Sequence, residues 1–388
     1  MKRIIIVGAG AAGMLAAIHA KTKDNQVILI ERNTNCGKKI LITGNGKCNY
    51  LNDDFNISHY RSDNLEFLEN VITEENKKLL ISEFKKIGIE PKIKNGYYYP
   101  MSNTSVSIQN ALLLTLKQKG IEIITNTTIT DIKKINNKFI LNDKFTCDKL
   151  IIAAGSSACP KCGTDGIIYD ALKPLGLKIK KPLPALVQLK SEGKFLKEWA
   201  GIRCDCELSL FENDKLIKKS IGEVQLTDYG ISGICTFQLS SDCIRGLDSG
   251  KKEVIKINFL PDIKDFDTFY LNRVKLLKGR NDIELFEGLI NYKLLYVLFK
   301  HNKNIKEALT SFSLEITGYN GFDKAQVASG GIKLTEINDN FECKNIKDLY
   351  IIGEALDVDG DCGGYNLALC WISGILCGKD INDKSKTN

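Results

Sequence analysis

Lys38, Lys39 and Lys47 share residues 37–49 with Gly37, Gly44 and Gly46 and with Thr43, Asn45, Cys48 and Asn49. Glycines let backbone amides come close to a ligand, and three ammonium groups supply positive charge. The stretch therefore reads as a loop that grips an anionic or strongly polar group, the alternative being a solvated basic loop. Asn45 and Lys47 are the candidates for work at a reacting centre, by positioning a partner rather than by moving a proton. Thr43 and Cys48 are expected to line the same edge. The three histidines, His19, His59 and His301, are scattered, so no metal site is expected.

The elements that must position this loop begin at the N-terminus. Ile4-Ile5-Ile6-Val7 reads as a buried strand running into Gly8-Ala9-Gly10-Ala11-Ala12-Gly13 and a helix. Gly8 permits the sharp turn, Gly10 lets the backbone approach a pyrophosphate, and Gly13 allows close helix–strand packing. The helix start offers free N–H groups and a positive dipole end. A second strand over residues 26–30 ends at Glu31-Arg32, where the fingerprint expects an acid to bond a ribose hydroxyl. Two more glycine-containing segments follow far along the chain: a strand from Leu150 into Ala153-Ala154-Gly155, and one from Leu349 into Gly353-Glu354 and Asp357. Three such segments on one nucleotide predict an FAD-binding oxidoreductase. Thr128 and Ile129, at the head of a short β run, and Gly331 are expected to contact the same cofactor.

Length and composition bound the rest. With 388 residues, 43% apolar and 26% charged, the chain exceeds one core and reads as an ordinary globular protein of two or three lobes. No run of about eighteen apolar residues offers a membrane span. The net charge of +7 is dispersed over the sequence without a basic block, so nucleic acid is not expected as a partner and a small molecule is. An odd count of 13 cysteines without an export signal predicts reduced thiols and a cytoplasmic setting. Cys159-Pro160-Lys161-Cys162 has redox spacing, yet flavin-dependent disulfide reductases carry a second nucleotide fingerprint that is missing here. The pair is read as two incidental thiols on a loop, with a redox pair as the alternative.

The predicted fold class is α/β, a Rossmann-like FAD domain of the glutathione-reductase type interrupted by a β-barrel-like lobe with a small helical insertion. The FAD domain takes residues 1–185 and 330–388, the β-rich lobe 186–260 and 313–329, and the helical piece 261–312. Helical periodicity covers 62–90 and 105–119, and short β runs at 121–124, 129–135 and 138–141 read as a β-meander. Beyond Gly363-Gly364, Asn366 is placed to cap a helix through Leu367, its positive end toward the flavin pyrimidine.

Three stretches carry a family resemblance: residues 37–49, residues 222–233, and residues 353–366, which include Gly363, Gly364, Tyr365 and Asn366. In this order they resemble the aminoacetone oxidase and bile-acid Δ4,6-reductase type of FAD-binding, NAD(P)-linked flavoproteins, over the whole chain. Departures fall at Asp228, where many members carry His, and at Ile234, where many carry Pro. The resemblance implies an enzyme that cycles its flavin, either by NAD(P)H-linked reduction of a small conjugated substrate or by oxidation of an amine such as aminoacetone with oxygen. A flavin-dependent tRNA-modifying enzyme and a non-catalytic flavin carrier are the alternatives of other classes.

Overall fold

Ile4, Ile5, Ile6 and Val7 are all β-branched and apolar, which suits a strand covered on both faces. The computed structural model, which describes residues 1–386, places Lys2–Val7 at the centre of a five-stranded sheet. The order across it is Leu349–Ile351, Lys149–Ile152, Lys2–Val7, Asn25–Ile30 and Glu122–Ile124, and every pairing is parallel. A parallel pair needs a crossover, and helix Ala11–Ala20 supplies it between the first two strands in sequence. Register sets Ile4 beside Val27 on one side and Lys149 on the other.

This sheet belongs to the first of two compact units, Met1–Leu183 with Val327–Asn388. Its core is continuous from the β-branched strand residues to Trp371, Ile372 and Ile375 on the long C-terminal helix Tyr365–Lys386. That helix lies against Ala11–Ala20 at glycine contacts. A Cβ on Gly374 would stand 2.4 Å from the Ala12 carbonyl oxygen, and one on Gly378 would stand 2.6 Å from the His19 Cβ. The predicted meander is displaced: Glu122–Ile124 is the edge of the parallel sheet instead. The antiparallel strands are Ile132–Ile135, Lys138–Leu141 and Phe145–Cys147. Small sheets that the sequence did not announce include Leu51–Asn52 with Tyr97–Pro100 and Pro91–Lys94, and Tyr60–Arg61 with Asp359–Gly360.

The second unit, Pro184–Gln326, contains a closed barrel of six strands. In barrel order they are Leu189–Ser191, Gly230–Ser232, Lys215–Leu226, Arg203–Glu212, Glu253–Asn258 and Phe312–Tyr319. Alternate residues fill its interior, Cys206, Leu208 and Leu210 on one strand and Ile255 and Ile257 on the next. Helix Ile234–Asp248 packs on the strands through Leu239, Cys243 and Ile244. Four helices between Phe266 and Thr310 intervene before the last barrel strand.

Candidate functional site

The fingerprint turn is packed directly on the other two glycine segments. Gly8 leaves the first strand with φ +103°, and a Cβ on it would stand 2.4 Å from the Ala153 carbonyl oxygen and 2.7 Å from the Ala154 Cα. Gly353 meets the turn from the third segment, where a Cβ would lie 2.9 Å from the Ala12 methyl. Its N–H donates to Ser373 Oγ at 3.1 Å. A Cβ on Gly13 would fall 1.9 Å from the Gly8 carbonyl oxygen, so the helix closes tightly on the strand.

Gly10 behaves differently, because a Cβ there would meet nothing within 4 Å. The open space lies at the N-terminus of Ala11–Ala20, which carries no side-chain cap. The first N–H groups of a helix lack partners within it, and its dipole favours an anion at that end. Uncapped donors beside an open cradle fit a pyrophosphate. Glu31 ends the neighbouring strand, buried, and accepts from Ala9 N–H at 2.9 Å through Oε2. Its Oε1 accepts from the Asn33 backbone at 2.8 Å and from Asn33 Nδ2 at 2.7 Å. The segment holding Thr128 and Ile129 comes alongside, with Thr127 N–H donating to the Glu31 carbonyl at 3.0 Å. Arg32 turns away to Asp165 at 2.6 Å and the Gly163 carbonyl at 3.2 Å.

The basic loop is anchored to the same turn. Gly37 N–H donates to the Ala9 carbonyl at 2.8 Å, and short helix Lys38–Ile42 follows. Lys39 Nζ pairs with Glu354 Oε2 at 2.6 Å, joining the loop to the third glycine segment. Glu354 Oε1 also accepts from Ala328 N–H at 3.1 Å. Lys38, Asn45 and Lys47 are exposed, whereas Thr43 Oγ1 donates inward to the Ile40 carbonyl at 2.7 Å. Gly44 and Asn45 are both left-handed, with φ of 55° and 53°, and asparagine is among the few side chains that tolerate this. Cys48 is corrected: it is fully buried, and burial pushes its thiol up to about 12. Its side chain packs in the interior and lines no ligand surface.

The far end of the loop meets the C-terminal glycine pair. A Cβ on Gly364 would lie 2.9 Å from Asn49 Oδ1, and Asn52 Nδ2 donates to the Gly363 carbonyl at 3.0 Å. Among the described residues Asn49 Oδ1 is a buried acceptor without a hydrogen-bond partner. Asn366 does not cap the helix, which already begins at Tyr365. Its Oδ1 accepts from Gly360 N–H at 2.7 Å and its Nδ2 donates to the Gly360 carbonyl at 2.8 Å, fixing the turn before the helix. Leu367 follows it, partly buried. Asp357 is buried, with Lys180 Nζ 3.7 Å away and its N–H donating to the Ile332 carbonyl at 2.8 Å. Gly331, its neighbour across that bridge, lies against the Ala355 carbonyl and the Tyr169 hydroxyl.

One cluster escaped sequence reasoning. His59 stacks on Tyr365 at 4.2 Å, with Nδ1 3.1 Å from Asp361 and Nε2 2.8 Å from Asp54. Arg61 holds Asp361 at 2.7 Å from the other side. No local pattern announces that His59 and Arg61 will meet Asp361 and Tyr365, so distant in sequence. The described residues contain no group of three or more His, Cys, Asp or Glu able to hold a metal.

The family model described as the HI0933-like protein Rossmann domain matches residues 2–380. The chain belongs to this family. A 3-dehydro-bile acid delta(4,6)-reductase from Clostridium scindens is 33% identical over 98% of this chain and 98% of its own. A ribosomal RNA dihydrouridine synthase from Escherichia coli is 26% identical over 97% of each. Among solved structures, the 3-ketosteroid delta1-dehydrogenase of Sterolibacterium denitrificans superposes with a TM-score of 0.52 at 11% identity, covering 99% of this chain and 100% of that one. That likeness shows the shared fold. This member of the HI0933-like family is an FAD-dependent oxidoreductase. No helix of the described residues is long and apolar enough to cross a membrane.

Proposed function

We propose that the chain takes two electrons from NADH or NADPH and delivers them to a carbon–carbon double bond conjugated with a carbonyl in a small substrate. The observation that supports this reading is the continuous path from the open Gly10 cradle, through the anchored basic loop, to the Gly363-Gly364 turn. The names of two relatives support this choice of substrate class. A 3-oxo bile acid unsaturated at positions 4 and 6 and a uridine base share one functional group, an alkene conjugated to a carbonyl. Reducing it places hydride on the carbon remote from the carbonyl and a proton on the carbon beside it.

Bound FAD supplies the hydride chemistry, from nicotinamide to alkene. The first N–H groups of Ala11–Ala20 would hold the pyrophosphate. Glu31 takes the ribose hydroxyl with acceptor capacity left beyond Ala9 and Asn33. Ala153, Ala154, Gly155, Gly331 and Gly353 give the backbone its close approach. The start of Tyr365–Lys386 would offer its positive end to the bound flavin, favouring negative charge on it. Asn45, exposed on the left-handed turn, and Lys47, exposed just after it, hold the carbonyl of the substrate, with Lys38 adding positive potential.

Anaerobic stopped-flow mixing tests the reading. NADH or NADPH is expected to bleach the flavin, and an enone such as a 3-oxo-4-ene steroid to restore its colour. If neither nicotinamide bleaches it while aminoacetone does, the chain is an amine oxidase and the reductase assignment is wrong. Reoxidation by uridine-containing RNA alone would move the substrate from small molecules to nucleic acid.

A further inference from the structure

Cys159 and Cys162 have no place in the chemistry above, yet the fold brings their sulfurs to 2.6 Å while all 13 cysteines remain free thiols. The turn that carries them is unusual. Cys159 is left-handed at φ 64°, Pro160 opens a single turn of 3-10 helix, and Gly163 closes it at φ 96°. A left-handed backbone is strained for a cysteine, so the reduced turn has less strained conformations to visit.

The turn is wired to the nucleotide end of the cradle. The Cys162 carbonyl accepts from Asn33 Nδ2 at 2.9 Å. Asn33 also binds Glu31 Oε1, and Glu31 Oε2 accepts from Ala9 N–H in the fingerprint turn. The next carbonyl, of Gly163, accepts from Arg32 at 3.2 Å. Lys39 reaches the Ala158 carbonyl at 3.4 Å from the opposite side. Whatever fixes this turn therefore fixes Asn33, Arg32 and, through them, Glu31.

We propose that Cys159 and Cys162 form a reversible dithiol–disulfide pair whose oxidation tightens the grip on FAD, an inference that rests on the cofactor site proposed above. The oxidant is a small-molecule disulfide. Cys159, only partly buried, is the attacking group, and Cys162, buried beneath it, resolves. The Cys159 thiolate attacks one sulfur of oxidised glutathione, forming a mixed disulfide and expelling one glutathione thiolate. Cys162 then gives up its proton and attacks the Cys159 sulfur, expelling the second. Two protein thiols are oxidised, one glutathione disulfide is reduced, and the two released protons go to the two glutathione thiolates. The new bond removes the alternative conformations of the turn and leaves its carbonyls facing Asn33 and Arg32.

The test uses the full-length, FAD-loaded protein equilibrated in glutathione buffers of increasing oxidised fraction. Trypsin cuts after Lys161, between the two cysteines, so the linked state appears in mass spectra as two peptides joined through Cys159 and Cys162. The linked fraction is expected to rise with oxidised glutathione, to revert with dithiothreitol, and to accompany a several-fold fall in the Kd for FAD. Cys159→Ser and Cys162→Ser should each abolish both effects while keeping the Kd of the reduced protein. A map showing only glutathionylated Cys159, or an equal Kd in linked and unlinked protein, would overturn the proposal. A reduced chain that holds no FAD would instead strike at the cofactor site, and the peptide map would still decide the fate of the pair.

Discussion

Gly10 separates folding from function within a single turn. Its backbone is extended, at φ −88° and ψ −162°, so alanine fits the chain without strain. The added methyl would occupy the open space proposed above for the pyrophosphate. Gly10→Ala is expected to leave the unfolding temperature nearly unchanged and to weaken FAD binding at least tenfold, about 1.4 kcal/mol. Gly8→Ala and Gly13→Ala should instead lose folded protein, because their methyls would run into backbone atoms at 2.4 Å and 1.9 Å. Flavin fluorescence and thermal melts on the three variants distinguish the cases, and equal FAD affinity in Gly10→Ala would remove the cradle from the account. The sharp turn at Gly8 and the close packing at Gly13 were legible in the sequence, since the fingerprint spacing encodes local backbone requirements. The pairing of His59 with Asp361 and Tyr365 was not, because a side chain's spacing says nothing about which turn, hundreds of residues away, will face it.

At the scale of elements, the contact between Ala11–Ala20 and Tyr365–Lys386 decides whether the cradle is held open. Gly374 stands where a Cβ would press on the Ala12 carbonyl oxygen, and backbone cannot swing aside as a side chain does. Gly374→Ala is expected to cost about 1–3 kcal/mol of stability by overpacking and to weaken FAD binding as the helix bearing Ala11 and Ala12 shifts. Gly288→Ala, with nothing within 4 Å, is the matched control and should melt like the parent. A Gly374→Ala protein as stable as that control would show that the helices can part freely.

The strand–helix–strand start and the C-terminal helix were readable because long apolar periods identify them. Strands as short as Tyr60–Arg61 have no period to read. Helix Ile234–Asp248 was hidden for another reason: its buried face includes Thr236, Ser240 and Ser241, small polar residues that mask an apolar stripe. Glu122–Ile124 was assigned to the wrong sheet since its apolar run suits a meander and a parallel edge equally well.

For the molecule as a whole, motif order predicts a chain that returns to its first domain, and pH should act on the two compact units in opposite directions. In the first unit His19 is half-buried 3.5 Å from Glu83, with Lys379, Lys119 and Lys86 nearby, and its partial burial brings its imidazole from 6.5 down to about 4. The unfolded chain therefore binds this proton more readily, and stability falls as pH drops from 6.5 toward 4. In the second unit Glu253 is buried with neither carboxylate oxygen hydrogen-bonded, and burial, then Glu212, raises it from 4.5 to about 7. Here the native state holds the proton longer, so stability is intact below 4.5 and is lost as pH rises through 7. Glu253→Gln should therefore stabilise the second unit at pH 8 by about 1–3 kcal/mol relative to its effect at pH 4.5. His19→Gln should flatten the acid slope of the first. Peptide-resolved hydrogen exchange at the two pH values reads each unit separately. A Glu253→Gln effect of equal size at both would mean that Glu253 does not titrate across that window.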